Sequence, residues 1–206
     1  MIVMAGAKNR RNKRARPPYK TLEDGRAQRR PFPPYKILIV SRGSQLKKIG
    51  AQALMDFINP FVEERAYLAI QKKVTLKEER KFVDDGARAL DSGCEVRIFL
   101  FVDDKVVGNC SVRQATLQSD NGNVSFGIAV SKEFRGFGFG ELLLRKGLEV
   151  AKKKFKPHKM WIDHVGGNNV AARLYRKVGF VKVARLKEYH LHHGEWHDKV
   201  MMEHRE

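Results

Sequence analysis

From about residue 36 onward the chain alternates between two textures: short apolar runs with polar ends, and longer stretches in which apolar positions recur every three or four residues. The first texture predicts strands and the second amphipathic helices. Ile37, Leu38, Ile39 and Val40, four apolar residues in a row, predict a buried strand. Ser44 then offers a cap for a helix reaching about Asn59, with Leu46, Ile49, Ala53 and Phe57 on one face and Pro60 as its stop. Thr75 with Lys77, Glu78 and Glu79 opens a second helix through Leu90, carrying Phe82, Ala87 and Leu90, and Gly93 closes it. Residues 96–102 and 106–117 predict a hairpin around the turn at 103–105, and DNGN at 120–123 is a second turn signal.

A third strand, 124–130, leads into a glycine-rich bend and then a helix over 141–155. That helix turns Leu144, Leu148, Ala151 and Phe155 inward, while Glu141, Arg145, Glu149 and Lys152 face water at ion-pair spacing. A strand at 160–165, a helix from Asn168 stopped by Gly179, a strand from Phe180, a histidine-rich turn and a last strand around 199–203 complete the chain. Helices, a strand meander and a later strand–helix–strand unit together predict a mixed α/β or α+β fold.

The first 35 residues read differently. They hold five of the seven prolines and almost no apolar periodicity, so an extended or disordered arm, 1–35, is expected ahead of a domain at 36–206. Residues 1–36 carry 11 Lys or Arg against Glu23 and Asp24, a net +9, which is half the formal +18 of the whole chain. Such an arm suits polyanions. PPYK occurs twice within it, and Tyr19, Phe32 and Tyr35 offer rings for base stacking beside cations for phosphate, the expectation being RNA or ribosome contact or, more simply, a solvated tail. There is no apolar run long enough to span a membrane, and the start does not read as secretory. Cys94 and Cys110 lack metal spacing, which fits small core residues in a reducing cytoplasm.

The bend, RGFGFG at 135–140, is the main chemical signal. Alternating glycines before a helix start expose main-chain N–H groups at the positive end of the helix dipole, an anion site suited to phosphate or pyrophosphate. The spacing is neither the dinucleotide fingerprint nor a P-loop. Arg135, two residues, Gly138, one residue, Gly140 resembles the acetyl-CoA loop of the GCN5-related N-acetyltransferases. A second block, NNVAARLYRKVGF at 168–180, resembles that family's later helix at Asn168, Ala171, Leu174, Tyr175, Lys177, Gly179 and Phe180.

The resemblance covers roughly residue 36 to the end and implies a central, mostly antiparallel sheet of about six to seven strands flanked by about four helices. It implies an acyltransferase that moves acetyl directly from acetyl-CoA to a primary amine through a tetrahedral intermediate. By the same resemblance, Ile128 and Val130 bond the pantetheine arm through their backbone, and the amides of Arg135, Gly136, Gly138 and Gly140 hold the pyrophosphate. Lys132 and Arg145, basic residues nearby, read as surface charge first and as contacts for a further phosphate second. Asn168 caps its helix and contacts the pantetheine. Tyr175 is the expected acid for the departing thiolate, its phenol having an ordinary pKa of about 10.

Asp163 stands where some relatives acting on protein amino termini carry Glu, beside Trp161, and is the expected base; Ser125 replaces an acidic residue common in the family. With a weak base, the acceptor matters: neutralising a lysine-like amine at pH 7 costs roughly 4 to 5 kcal/mol, an α-amine only about 1. An α-amino terminus of ribosomal-protein type is therefore the expected acceptor, with polyamines, lysine and other small amines as alternatives, and an RNA- or ribosome-associated protein on an acetyltransferase-like scaffold as the reading from another class. HLHHGEWH at 190–197 reads as a hairpin turn bordering the acceptor side, and no metal is expected.

Overall fold

A computed structural model describes residues 33–205 and, ahead of them, two short strands, β1 (Tyr19–Thr21) and β2 (Ala27–Arg29), which pair antiparallel. The arm, expected to be extended or disordered, thus contains a small ladder. The stacking candidates Tyr19 and Phe32 lie outside the residues whose side chains are described. Tyr35 is described, and its ring meets Phe139 edge-on at 5.5 Å, so it packs on the domain.

Seven strands form the main sheet: β3 (Lys36–Val40), β4 (Glu95–Val102), β5 (Lys105–Gln114), β6 (Asn123–Val130), β7 (Lys159–Val165), β8 (Phe180–His192) and β9 (Glu195–His204). Their order is β3-β4-β5-β6-β7-β9-β8, antiparallel throughout except for β6 against β7. The β4–β5 turn places Asp103 and Asp104 at φ 48° and 57°, the twist-matched geometry of a two-residue hairpin.

The predicted helix from Ser44 is two helices. In α1 (Gly43–Ile49) and α2 (Ala51–Glu63) the break falls at Gly50, whose φ of 85° lies in the region where a side chain is strained. Ser44 is not the cap: Gln45 Oε1 accepts from the N–H groups of Ser41 and Arg42 at 2.9 and 3.1 Å. Pro60 does not stop the helix either. It sits in the last turn of α2, where Phe57, Ile58 and Phe61 are buried around it and Glu64 N–H still reaches Pro60 O at 3.1 Å, so packing outweighs one missing donor. α3 (Leu76–Asp91) has the expected Thr75 cap with a reciprocal Glu78 bond. Phe82, expected inward, is 42% exposed.

The two faces of the sheet carry separate cores. α4 (Phe139–Phe155) and α5 (Asn169–Lys177) cover one, burying Leu144, Leu148, Ile128, Ile162, Tyr175 and Phe180. α1 to α3 cover the other, over Val40, Phe99, Val106 and Ala129.

Candidate active site

The parallel pairing of β6 and β7 runs only from Asn123–Lys159 to Phe126–Ile162. Beyond that point each strand keeps its outer neighbour, β6 pairing with β5 to Val130 and β7 with β9 to Val165. The sheet therefore splits between them. Ser131 N–H donates to Val107 O on β5 at 2.9 Å. Strand alternation then turns the backbone of Gly127 and Ala129 to β5, and that of Ile128 and Val130 to the split. These are the two residues the sequence singled out for main-chain contacts.

The glycine bend closes the end of this split. Gly136 and Gly138 have φ of 83° and 100°, and Gly138 is the N-cap of α4. The first intrahelical bond is Leu142 N–H to Gly138 O at 3.0 Å, so the amides of Gly140 and Glu141 precede the hydrogen-bonded turn and face the helix mouth. Gly140 itself is helical. The Arg135 side chain turns away: Nε donates to Val130 O at 2.8 Å and Nη1 to Glu64 Oε2 at 3.0 Å, with Nη2 on the other Glu64 oxygen. Its charge is paired, and what it does is tie the bend to the end of α2. Arg145 likewise pairs with Glu141 at 3.1 Å.

Asp163 is the first β7 residue past the paired stretch. It is 1% exposed, neither carboxylate oxygen has a hydrogen-bond partner among the described residues, and Lys199 Nζ stands 3.8 Å from Oδ1. Burial raises its pKa to about 6, with Lys199 pulling the other way. Lys199 also lies 5.7 Å over the Trp161 ring and 4.7 Å over that of Tyr189. This places Asp163 with Trp161 on the α1–α3 face, as alternation predicts.

Tyr175 lies on the other face. It is fully buried, with ring centroids of His164 and Phe180 at 6.1 and 6.3 Å. His164 donates Nδ1–H to Val165 O at 2.9 Å, and burial lowers its pKa, which keeps it neutral. Asn168 is buried and caps α5 by accepting Ala171 N–H at 3.1 Å. Ser125 Oγ donates to Arg113 O at 3.4 Å. The structure thus gathers Asp163, Ile128, Val130 and the bend around one split, with Tyr175 and Asn168 on its α4–α5 side.

Sequence reasoning missed the clasp over the α1–α3 side. The segment between α2 and α3 is held by the β8–β9 hairpin: Gln71 Nε2 donates to Leu191 O at 2.6 Å, His193 N–H to Gln71 Oε1 at 2.9 Å, and His192 Nε2 to Ala66 O at 2.9 Å. Tyr67 packs on His192 at 4.9 Å. The histidine-rich stretch is therefore part of a long hairpin whose turn is His193–Gly194. Partners more than 100 residues apart leave no local pattern to read.

A family model described as the acetyltransferase (GNAT) family matches residues 55–180. An N-alpha-acetyltransferase of Sulfurisphaera tokodaii is 30% identical over 63 residues, which is 31% of this chain and only 38% of that protein. Among solved structures, a ribosomal-protein-alanine N-acetyltransferase of Brucella melitensis aligns at TM-score 0.66 and 23% identity, covering 81% of this chain and 98% of that one. A ribosomal-protein-S5-alanine acetyltransferase of Vibrio fischeri aligns at TM-score 0.70 and 16% identity, over 84% and 93%. An acetyltransferase of Salmonella typhimurium, solved with acetyl-CoA, aligns at 0.67 and 17%, over 82% and 92%.

Proposed function

The chain belongs to the GNAT family of acetyltransferases, and from that premise we propose that it transfers acetyl from acetyl-CoA to the α-amino group of a peptide or protein. The observation that carries the reading is the split between β6 and β7, with main-chain groups of Ile128 and Val130 along it, the Gly136–Gly138 bend at its end and Asp163 at its start. A strand edge left without a neighbour suits the amide-bearing pantetheine arm, and the helix mouth suits a pyrophosphate. Acetyl-CoA, when bound, supplies an activated acyl thioester.

Each residue then has a task. Asp163, with a pKa of about 6, is ionised at neutral pH and takes a proton from an amine on its own face of the sheet. An α-amine, whose ordinary pKa is about 7.7 to 8, needs only that weak help. Tyr175, on the opposite face, is the proton donor for the thiolate, so deprotonation of the nucleophile and protonation of the leaving group take place on two sides of one gap. Lys199 orients Asp163, and Asn168 fixes the start of the helix that presents Tyr175. Two of the similar structures are ribosomal-protein-alanine acetyltransferases, which supports a peptide acceptor over a polyamine or a lysine side chain.

The test is an acceptor screen under saturating acetyl-CoA, reading thiol release with α-amino peptides, Nα-blocked lysine peptides, polyamines and aminoglycosides. α-Amino peptides should give the largest kcat/KM. Preference for polyamines or lysine would overturn the acceptor, and failure to bind acetyl-CoA at high micromolar concentration would overturn the donor.

A further inference from the structure

Beneath α2 and α3, on the sheet face that carries Asp163, lies a cavity of about 290 Å³. Phe57, Ile58, Leu68, Ile70 and Phe82 give it apolar walls. Ala69 is exposed and Phe82 42% exposed, which places its mouth between the 68–70 segment and α3. At about the lower end of the size range for ligand pockets, ~300 Å³, it takes one ring or side chain rather than a whole cosubstrate.

The floor, on β4 and β5, is polar. Glu95 is 1% exposed; its Oε1 accepts from Arg97 Nε at 3.0 Å and Arg113 Nη2 at 3.2 Å. Its Oε2 is buried with no hydrogen-bond partner among the described residues. A carboxylate oxygen in that state is costly, and a donor entering the cavity relieves the cost. The charge on that donor is constrained. Two guanidiniums face Glu95, and Glu79 on the wall, its pKa raised to about 7 by burial against the pull of Arg97, is only partly ionised at neutral pH. The surroundings lean positive, so a neutral donor fits better than a third cation.

We infer that this cavity is the specificity pocket for the acceptor: it receives an apolar, ring-bearing group ending in a neutral hydrogen-bond donor, a phenol being the simplest case. The inference rests on the acceptor reading above. Ser111, which lines the cavity, pairs with Gly127, and Asp163 follows the last residue paired to β6. Ser111 is thus two strand spacings, about 10 Å, from the base. Glu95, whose register runs through Arg113 and Ser125 to Trp161, is three spacings, about 14 Å, away and two residues along the strand. An extended peptide rises about 3.3 to 3.6 Å per residue, so a ring in the second position reaches the cavity wall and a tyrosine in the third position comes within reach of Glu95.

The experiment has two arms on the full-length protein. Ligand-observed NMR titrations compare p-cresol, 4-methylanisole, toluene and benzylammonium on the wild type and on Ala69→Trp, which plugs the mouth from an exposed position. p-Cresol should bind about tenfold or more tighter than the other three, and the plug should abolish its binding. Equal binding of all four, or binding that survives the plug, overturns the site. Ile70→Trp serves the same purpose should Ala69→Trp melt early. In the kinetic arm, peptides with Tyr, Phe or Lys in the third position should rank in that order in kcat/KM, with Tyr about tenfold above Phe, and the plug should flatten the series. A flat series on the wild type overturns the acceptor assignment. Phenol binding needs no acyl transfer, so its loss and the loss of acetyltransferase activity are separate results.

Discussion

Asp163 and Tyr175 stand on opposite faces of one sheet, beside the place where its pairing stops, and each makes a separate prediction. Tyr175→Phe removes only the phenolic oxygen from a fully buried ring. kcat should fall about 10²- to 10⁴-fold, the usual worth of a positioned proton donor, with acetyl-CoA affinity little changed; an unchanged kcat in steady-state assays would remove the assigned role. Asp163 carries the opposite balance. Its folded pKa of about 6 lies above the ordinary value of about 3.9, so the folded state prefers the protonated carboxyl. The stabilisation from that preference is complete below about pH 4 and lost as pH rises through about 6. At pH 7 the buried charge is a burden, and Asp163→Asn should raise stability by up to about 3 kcal/mol while lowering kcat/KM and erasing the acid limb near pH 6. Thermal melts and a pH–rate profile on the same variant check both halves. A less stable variant would mean that the Lys199 contact outweighs desolvation.

Among elements, the glycine bend and α4 are the pair most open to test. Gly138 caps α4 at φ 100°, where an L side chain costs roughly 1 to 2 kcal/mol. Gly138→Ala should therefore weaken acetyl-CoA binding at least about tenfold by calorimetry, since the amides that face the helix mouth are displaced together. Unaltered affinity would detach the bend from the donor. Most elements were readable from period and local residue chemistry: the Thr75 cap, the 103–105 turn, α4 and the Asn168 cap all follow from neighbouring residues. Two helix features were not, for a physical reason. Pro60 is a breaker in isolation, yet the burial of Phe57, Ile58 and Phe61 holds the last turn of α2 around it. Gly50, read as an ordinary helix position, uses its freedom to divide one helix into two. Burial decided the first, and periodicity does not encode it; at Gly50 the structure shows the positive φ, with open space around the residue.

For the molecule as a whole, the candidate site was legible where one stretch of chain makes it and illegible where two stretches meet. Gly136, Gly138, Asn168, Tyr175 and Asp163 could be named from spacing and resemblance. That Glu64 takes up the charge of Arg135, 71 residues away, could not, nor could the joining of Glu95 with Arg97 and Arg113 under α3. Charge distribution is a further whole-chain property. Half the net charge precedes residue 37, so deleting residues 1–35 should reduce the affinity for single-stranded RNA at low salt and flatten its salt dependence, read by fluorescence anisotropy across 50 to 200 mM salt, a range over which six to ten phosphate contacts lose about 10³ to 10⁵ in affinity. Equal curves with and without the arm would free it of that role. No described helix is long and apolar enough to cross a membrane.

Only four residue pairs join β6 to β7, so the carboxy-terminal strands and α5 are held to the rest of the protein by a short seam, by side chains packed under α4 and by the clasp of the β8–β9 hairpin on the segment between α2 and α3. A molecule that lodges in the notch would act as a rivet across the stretch where β6 and β7 no longer pair. Amide exchange along β7 and β9 should then slow markedly when acetyl-CoA is added, well before any acceptor arrives, making the donor a structural member of the enzyme as well as its fuel.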